Sequence, residues 1–153
     1  IQGDEPLLNP KDIDKVIDFH IKNKETDIVV PHIRIERSKN NRSLVKIVSN
    51  NKGKVFYFSR EPVPFDYNKK EKFLKKHLSI ISFKPKALKK YCQSKKTELE
   101  SLENIELMRA IELKMKVKTF ELKSKSFSVD VYQDYLNAKK FMQKDKYYKR
   151  YNY

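Results

Sequence analysis

Apolar residues recur at helical spacing in four segments of the chain. The first segment begins at Asn9, which can cap a helix, and Pro10, which suits the first helical position, and it runs to about residue 24. Its predicted buried stripe is Ile13, Val16, Ile17 and Ile21. Three further helices are predicted over residues 85–93, 99–114 and 132–143. The third of the four should bury Leu99, Leu102, Ile105 and Met108 on one face.

Segments rich in β-branched and aromatic residues separate these helices. Strands are predicted over residues 27–35, 44–49, 54–59, 77–83 and 115–122. Pro31 indicates an edge or a bulge in the first of them, and Asn50-Asn51-Lys52-Gly53 is typical of a hairpin turn. Residues 60–72 form a polar loop with Pro62 and Pro64. Strands and helices alternate, and this pattern predicts an α/β fold.

The net charge of the chain bears on its possible partners and not on its predicted fold. The chain has 35 Lys and Arg against 20 Asp and Glu, a formal net charge of +15. This excess suits an anionic partner, whether nucleotide, acidic sugar, nucleic acid or membrane surface. The lysines are scattered along the chain in pairs, which favours a solvated surface instead.

Cysteine usage and hydropathy bear on the compartment. Cys92 is the only cysteine, so no intrachain disulfide forms, and a reducing cytoplasm is the simplest location. No apolar run approaches membrane-spanning length, and the chain has no secretory signal pattern, so we expect no membrane partner.

Two aspartates stand out by their local context. Asp4 comes directly after Gly3 in a turn, and Asp130 ends a short β-like stretch before the last helix. Ligands of open α/β sheets bind beyond the carboxyl ends of strands, so both carboxylates could face one crevice and hold Mg²⁺. The alternative is structural, with Asp4 in a turn and Asp130 as a helix cap.

Four more polar residues are candidates for binding. Arg60 ends a strand before a rigid Pro-x-Pro loop and could present a bidentate fork to a carboxylate, or form a surface salt bridge. His77 could bind an anion or pack in the core. Glu100 and Glu103 lie three residues apart on one helical face, where they could accept sugar hydroxyls or be solvated.

Several motifs occur in the order found in one enzyme family. Gln2-Gly3-Asp4-Glu5-Pro6 matches QGDEP, Val45-Lys46-Ile47-Val48 matches VKVV, and Tyr57-Phe58-Ser59-Arg60 with Pro62-Val63-Pro64 resembles YFSRxPIP. A segment similar to KHxGIY begins at Lys76-His77, Glu100-Ser101-Leu102-Glu103 opens a segment similar to ESLEQLR, and Val129-Asp130 falls on VDTPED. Over roughly residues 1–142, the chain therefore resembles the CMP-Kdo synthetases, the 3-deoxy-manno-octulosonate cytidylyltransferases.

The resemblance implies an activity and a set of site residues. CMP would pass from CTP to the anomeric hydroxyl of Kdo or a related acidic sugar, with release of pyrophosphate, for lipopolysaccharide or surface-glycan synthesis. Asp4 and Asp130 become the catalytic Mg²⁺ ligands. The implied substrate-binding residues are Gln2, Arg60, His77, Glu100, Glu103 and Asn104. The resemblance also implies a homodimer, and no nucleic acid partner is expected.

The sequence departs from the family pattern at several positions. The glycine and tyrosine of KHxGIY are Ser79 and Ile81, the glutamine and arginine of ESLEQLR are Asn104 and Glu106, and Val131-Tyr132 replaces Thr-Pro after Asp130. These changes indicate an altered sugar pocket and leave the identity of the acid sugar open, for example an 8-amino relative of Kdo.

The resemblance also implies a partial domain. The chain contains no element like ARxxSxRLPGKPL, which holds the triphosphate and cytosine in the family, and Gly3 and Gly53 are its only glycines. We therefore expect an incomplete Rossmann-like nucleotidyltransferase fold with a mixed sheet, its first nucleotide-binding half absent. Residues 1–143 would be the C-terminal part of one domain and residues 144–153 a basic, tyrosine-rich tail. Alone, such a chain should bind CTP poorly.

Two other functions remain open at the level of sequence. A non-catalytic remnant could persist by pairing with itself or with a missing half. A small basic nucleic-acid-binding module is the more distant alternative, suggested by the net charge and by Tyr147-Tyr148-Lys149-Arg150-Tyr151.

Overall fold

The computed structural model describes residues 1–124 and 126–151, which form two small sheets with helices packed against them. The first sheet has β1 (Ile28–Val29) at its centre, antiparallel to β6 (Ser82–Phe83) and parallel to β7 (Val117–Lys118). The second sheet is antiparallel, in the order β2 (His32–Glu36), β5 (Phe73–His77), β3 (Lys46–Ser49) and β4 (Val55–Ser59). The predicted α/β class with a mixed sheet is confirmed.

In the described residues, six α-helices surround these strands. They are α1 (Pro10–Lys22), α2 (Pro85–Gln93), α3 (Glu98–Glu103), α4 (Leu107–Glu112), α5 (Tyr132–Met142) and α6 (Tyr148–Tyr151). A 3-10 turn over Arg37–Lys39 follows β2. Within the described part of the chain, none of these helices is long and apolar enough to cross a membrane.

The first helix starts as predicted but buries a different face. The Asn9 side chain caps it by accepting from the Lys11 amide at 3.0 Å. Val16 is buried as expected, whereas Ile17 and Ile21 are exposed, so that part of the predicted stripe is wrong. The buried face contains His20 instead, because its ring bonds Ser82 Oγ at 2.7 Å and the Thr26 carbonyl at 3.1 Å.

The predicted hairpin is confirmed as β3 and β4. Gly53 closes its turn with φ of +79°, a left-handed conformation that favours glycine. A Cβ there would lie 2.4 Å from the Thr119 carbonyl oxygen, so the turn also needs glycine for its close approach to the chain after β7. The boundaries of α2 agree with the prediction, and α5 ends one residue earlier than predicted.

Three other predictions need correction. The strand expected over 77–83 is wrong, because β5 ends at His77 and a bend precedes β6. Of the strand predicted over 115–122, only Val117–Lys118 forms a β-strand, which is β7. The helix expected over 99–114 is two helices, since Asn104 adopts a left-handed conformation (φ 52°, ψ 48°) and turns the chain between them. The same break leaves Leu102 exposed.

Two apolar clusters hold these elements together. The larger packs α4 against both sheets and includes Ile28, Ile47, Phe58, Met108 and Val117. The smaller packs α1 against the other side of β1 through Val16, Val29, Leu78, Ile80 and Leu122, beside the stacked rings of Phe19 and Phe120. The division into residues 1–143 and a tail stays a prediction, and α6 lies within that tail.

Candidate functional site

A cavity of about 620 Å³ lies where the ends of β4 and β5, the α3–α4 turn and the chain near residue 130 meet. Six of the eight residues predicted for substrate or metal binding line it: Gln2, Asp4, Arg60, His77, Asn104 and Asp130. Glu100 and Glu103 are not among the lining residues. The tertiary structure thus brings together residues separated by up to 128 positions in sequence, from Gln2 to Asp130.

Asp4 and Asp130 reach the cavity from two segments that join side by side. The Val129 amide donates to the Asp4 carbonyl at 2.8 Å, so the segments that carry the two aspartates lie next to each other. Asp134, not Asp130, supplies the carboxylate that reaches back to the amides of Asp130 and Val131 at 3.2 Å. The Asp130 carboxylate is therefore not needed for the cap of α5.

A third carboxylate lies beneath this junction. Glu5 is 4% exposed, and its two oxygens accept from the Ser79 amide at 3.3 Å and from Ser126 Oγ at 2.8 Å. We call Asp4, Glu5, Ser126 and Asp130 the carboxylate cluster. Sequence reasoning assigned no role to Glu5, although its place directly after Asp4 was a usable signal.

The two aspartates of the carboxylate cluster suit Mg²⁺ in their chemistry. Within residues 1–124 and 126–151, no group of three or more His, Cys, Asp or Glu side chains is arranged to hold a metal ion. Asp4 and Asp130 offer two exposed carboxylates in one cavity. Mg²⁺ typically binds through one or two carboxylates and completes its shell with water and substrate phosphates. The assignment of these two residues as ligands stays a prediction.

Arg60 is held by backbone carbonyl groups. Its Nε donates to the Glu103 carbonyl at 3.0 Å and Nη2 to the Asn104 carbonyl at 3.0 Å, while Nη1 donates to the carbonyls of Arg42 at 3.0 Å and Ser43 at 3.3 Å. These bonds use four of the five N–H groups of a guanidinium. One N–H on Nη2 remains, so the bidentate fork expected from the sequence is not free in this conformation.

A buried lysine supports the same region. The Lys46 side chain is fully buried, and its Nζ donates to the carbonyls of Asn41 at 3.2 Å, Leu44 at 2.5 Å and Arg60. Burial lowers the pKa of Lys46 to about 8. We call Lys46, Arg60, Glu103 and Asn104 the arginine cluster. Sequence reasoning missed Lys46, although a lysine between Val45 and Ile47 in a buried strand was a usable signal.

Glu103 and Glu100 are engaged inside the protein. Glu103 accepts from Ser59 Oγ at 3.0 Å and from the Arg60 amide at 3.1 Å. Glu100 is buried and forms a bidentate pair with Arg109 at 2.7 and 2.5 Å. The hydrogen bonds from Arg109 lower the pKa of the Glu100 carboxyl. Substrate contacts by these two residues stay predictions, and both carboxylates already have protein partners.

His77 lines the cavity as an uncharged ring. Its Nε2 is shielded from solvent and has no hydrogen-bond partner among the described residues, and its ring meets Phe58 edge-on at 6.4 Å. Burial lowers the pKa of His77 to about 4, with Lys76 acting in the same direction and Glu5 opposing it. At pH 7 the imidazole is neutral, so Nε2 can donate or accept according to its tautomer.

Other lining residues escaped sequence reasoning. They include Lys76, Tyr91 and Ser128, whereas Glu106, which also lines the cavity, was noted from the sequence as a departure that alters the sugar pocket. The Tyr91 hydroxyl donates to the Glu106 carbonyl at 2.9 Å, and the Arg109 guanidinium lies over the Tyr91 ring at 4.7 Å. The Glu100–Arg109 pair therefore supports the cavity wall through Tyr91.

Comparison with known proteins places this geometry among nucleotidyltransferases. A family model described as cytidylyltransferase matches residues 1–150. The chain is 35% identical over 148 residues to a 3-deoxy-manno-octulosonate cytidylyltransferase of Thermodesulfovibrio yellowstonii. That match covers 92% of this chain and 58% of the Thermodesulfovibrio protein. It is 37% identical over 145 residues to the enzyme of the same name from Rickettsia prowazekii. That match covers 94% of this chain and 57% of the Rickettsia protein.

A solved structure shares the fold. The structure of CMP:2-keto-3-deoxy-manno-octonic acid synthetase complexed with CTP superposes with a TM-score of 0.87 at 25% identity. The match covers 94% of this chain and 60% of that protein. The chain thus spans less than two thirds of the length of the relatives it matches.

Proposed function

The chain belongs to the cytidylyltransferase family, and we propose that its cavity is the acid-sugar and metal side of a CMP-Kdo synthetase site. The reaction would transfer CMP from CTP to the anomeric hydroxyl of Kdo or a related acidic sugar in the cytoplasm. The observation that carries this proposal is the convergence of Asp4, Arg60, His77 and Asp130 on one cavity.

The transfer exchanges one bond to phosphorus for another. The anomeric oxygen forms a bond to the α-phosphorus of CTP, the bond from that phosphorus to the bridging oxygen of the β-phosphate breaks, and the hydroxyl proton passes to water. Pyrophosphate leaves with the electron pair of the broken bond. Much of the acceleration of such a step comes from positioning and electrostatic stabilisation.

Each cavity residue has a role that follows from its surroundings. Asp4 and Asp130 would hold Mg²⁺, which when bound neutralises phosphate charge and orients the nucleophile. Neutral His77 would form an uncharged wall of the cavity against the sugar, since its Nε2 is shielded from solvent. Arg60 would offer its remaining Nη2 N–H and its positive charge to the sugar carboxylate, as a single contact rather than a bidentate one.

Mn²⁺ paramagnetic broadening tests the metal part of the proposal. In NMR spectra of the 153-residue chain, Mn²⁺ should broaden resonances around Asp4 and Asp130 first. Asp4→Asn and Asp130→Asn should each weaken this effect. Asp18→Asn, on the exposed face of α1, is the matched control and should not change it. Broadening that is unaffected by both cavity variants would contradict the proposal.

Activity of the isolated chain tests the role of the missing phosphate-binding element. We expect weak CTP binding and little pyrophosphate release with CTP, Mg²⁺ and Kdo, because these 153 residues contain no glycine-rich phosphate loop. Kdo alone should still shift resonances of His77 and Asn104. Pyrophosphate release well above background would show that the chain grips CTP by other residues.

We also propose that the chain forms a homodimer. The loop after β4 exposes the side chains of Phe65 and Tyr67, which are 85% and 86% accessible. Arg37 fixes this loop by donating to the carbonyls of Pro62 at 2.8 Å and Pro64 at 2.9 Å. Ordered, exposed aromatic residues are typical of interface cores. Sedimentation at several concentrations should show a dimer that the double variant Phe65→Ala/Tyr67→Ala weakens, and a monomer at all concentrations would contradict it.

A further inference from the structure

We infer that Glu5 is a positioning residue that sets the separation of Asp4 and Asp130 through its buried hydrogen bonds. The inference rests on the proposed function, in which these two aspartates hold the metal. Glu5 itself is buried and is not among the residues that line the cavity, so it would not be a ligand.

The contacts of Glu5 join three segments that are distant in sequence. Oε1 accepts from the Ser79 amide at 3.3 Å, 74 positions away, and Oε2 accepts from Ser126 Oγ at 2.8 Å, 121 positions away. Both serines are buried. The Gln2 amide also donates to the Ser79 carbonyl at 3.3 Å, so the chain on both sides of Asp4 is attached to the turn after β5.

The connection to Ser126 is the one that places Asp130. Ser126 lies four residues before Asp130, and the Val129 amide bonds the Asp4 carbonyl at 2.8 Å within the same segment. If the Glu5–Ser126 bond is lost, the junction depends on that backbone bond, and the 126–130 segment can shift relative to Asp4. A carboxylate pair that must share one small cation is sensitive to such a shift.

Burial makes Glu5 an effective connector. A carboxyl group removed from water must have hydrogen-bond partners, and losing them carries a desolvation penalty. The arrangement that satisfies both Glu5 oxygens is therefore strongly preferred over alternatives in which the three segments separate. The two hydrogen bonds that the buried Glu5 carboxylate accepts therefore hold the segments that carry Asp4 and Asp130 in place.

Three variants separate geometry from charge. Glu5→Gln keeps the shape and can still accept from Ser79, while its amide donates to a reoriented Ser126 hydroxyl, so the geometry survives without the charge. Glu5→Ala removes both bonds. Ser126→Ala removes one bond and leaves Glu5 in place. Ser101→Ala, an exposed serine on α3, is the matched control for the serine change.

The measurement is Mn²⁺ affinity of the full chain, from the free Mn²⁺ signal in electron paramagnetic resonance, with urea unfolding for each variant. We expect Glu5→Ala and Ser126→Ala to raise the Mn²⁺ Kd by about 10-fold or more, as loss of groups that orient ligands does. Glu5→Gln should stay within about threefold of the wild type. Ser101→Ala should match the wild type.

The outcomes distinguish this inference from the proposed function. If Asp4→Asn and Asp130→Asn weaken Mn²⁺ binding but Ser126→Ala and Glu5→Ala do not, the positioning role is overturned and the metal site stands. If Glu5→Gln binds as weakly as Glu5→Ala, charge rather than geometry matters, which also overturns it. If neither aspartate variant changes binding, the proposed metal site is wrong and the inference falls with it. Should Glu5→Ala fail to fold, Ser126→Ala decides.

Discussion

The arginine cluster lines the cavity through Arg60 and Asn104, and the carboxylate cluster lines it through Asp4 and Asp130, but the two clusters are held in different ways. Arg60 and Lys46 donate seven hydrogen bonds to backbone carbonyl groups, four from Arg60 and three from Lys46. Asp4 and Asp130 instead present exposed carboxylates, and the bonds that place them come from the backbone and from Glu5 behind them.

The difference indicates a division of tasks within the cavity. Cationic donors that are bonded mostly to backbone carbonyls make a fixed wall whose geometry changes little when a ligand arrives. Carboxylates with free oxygens suit a cation that arrives with its substrate. The arginine cluster should therefore contribute mainly to stability, and the carboxylate cluster mainly to binding.

Breaking the Glu100–Arg109 pair should have the largest effect on stability. This pair joins α3 to α4, the helices that flank Asn104, and both partners are largely buried. Glu100→Ala leaves Arg109 without its anion and should lower the free energy of unfolding by about 3–5 kcal/mol. Urea unfolding measures it.

Glu98 gives the matched control for that experiment. It lies exposed in the same first turn of α3, so Glu98→Ala should change stability by only about 0.5 kcal/mol. If Glu100→Ala proves equally mild, Glu100 is not a structural carboxylate and is available for the predicted substrate contact.

Removing the Arg60 side chain should have the next largest effect. Arg60→Ala leaves four carbonyls without their charged donor and should lower the free energy of unfolding by about 2–3 kcal/mol. Arg42→Ala is the control, because its exposed pair with Glu61 contributes only about 0.5 kcal/mol. If Arg60→Ala lowers the free energy of unfolding no more than Arg42→Ala does, the arginine cluster does not have the structural role that distinguishes it from the carboxylate cluster.

Acid should weaken the fold through its buried histidines. Burial lowers the pKa of His32 and His77 to about 4, below the value of about 6.5 in the unfolded chain. Below pH 6.5 the unfolded state therefore binds more protons, so this stabilisation is complete above pH 6.5 and is lost as pH falls towards 4. Each histidine should contribute about 1–3 kcal/mol to that loss.

Thermal unfolding between pH 7 and 4.5 measures the acid effect. His77→Gln removes one titrating group, so its stability should fall less steeply with pH than that of the wild type. Equal pH dependence of the two proteins would show that His77 is not held neutral beside the carboxylate cluster.

Asp130→Asn should have the smallest effect on stability, within about 0.5 kcal/mol of the wild type. The Asp130 carboxylate is exposed, and Asp134 supplies the cap of α5. The same variant should nevertheless weaken Mn²⁺ binding, which separates binding from stability in the carboxylate cluster. A large loss of stability would place Asp130 with the structural residues and narrow the difference between the clusters.

Local sequence signals predicted much of the fold. Pro85 at a helix start, the Asn9 cap and the glycine turn at Gly53 all act through backbone geometry within a few residues, and the corresponding elements form where expected. The break at Asn104 could not be predicted in this way. An apolar pattern continues through it, and the turn at Asn104 places Ile105 and Met108 in the core.

The site shows the same limit. The motifs identified six lining residues of the cavity, because their types and order are local properties of the chain. They did not show that Arg60 is occupied by carbonyls, that Glu100 pairs with Arg109, or that Glu5 meets Ser126.

By itself, the sequence determined the main elements, the family and the chemical types present at the cavity. The tertiary structure alone decided which of those polar groups are free to meet a ligand and which are consumed by the protein. The physical reason is that burial forces a polar group to find a partner, and for Glu5, Arg60 and Glu100 that partner lies on another element of the fold.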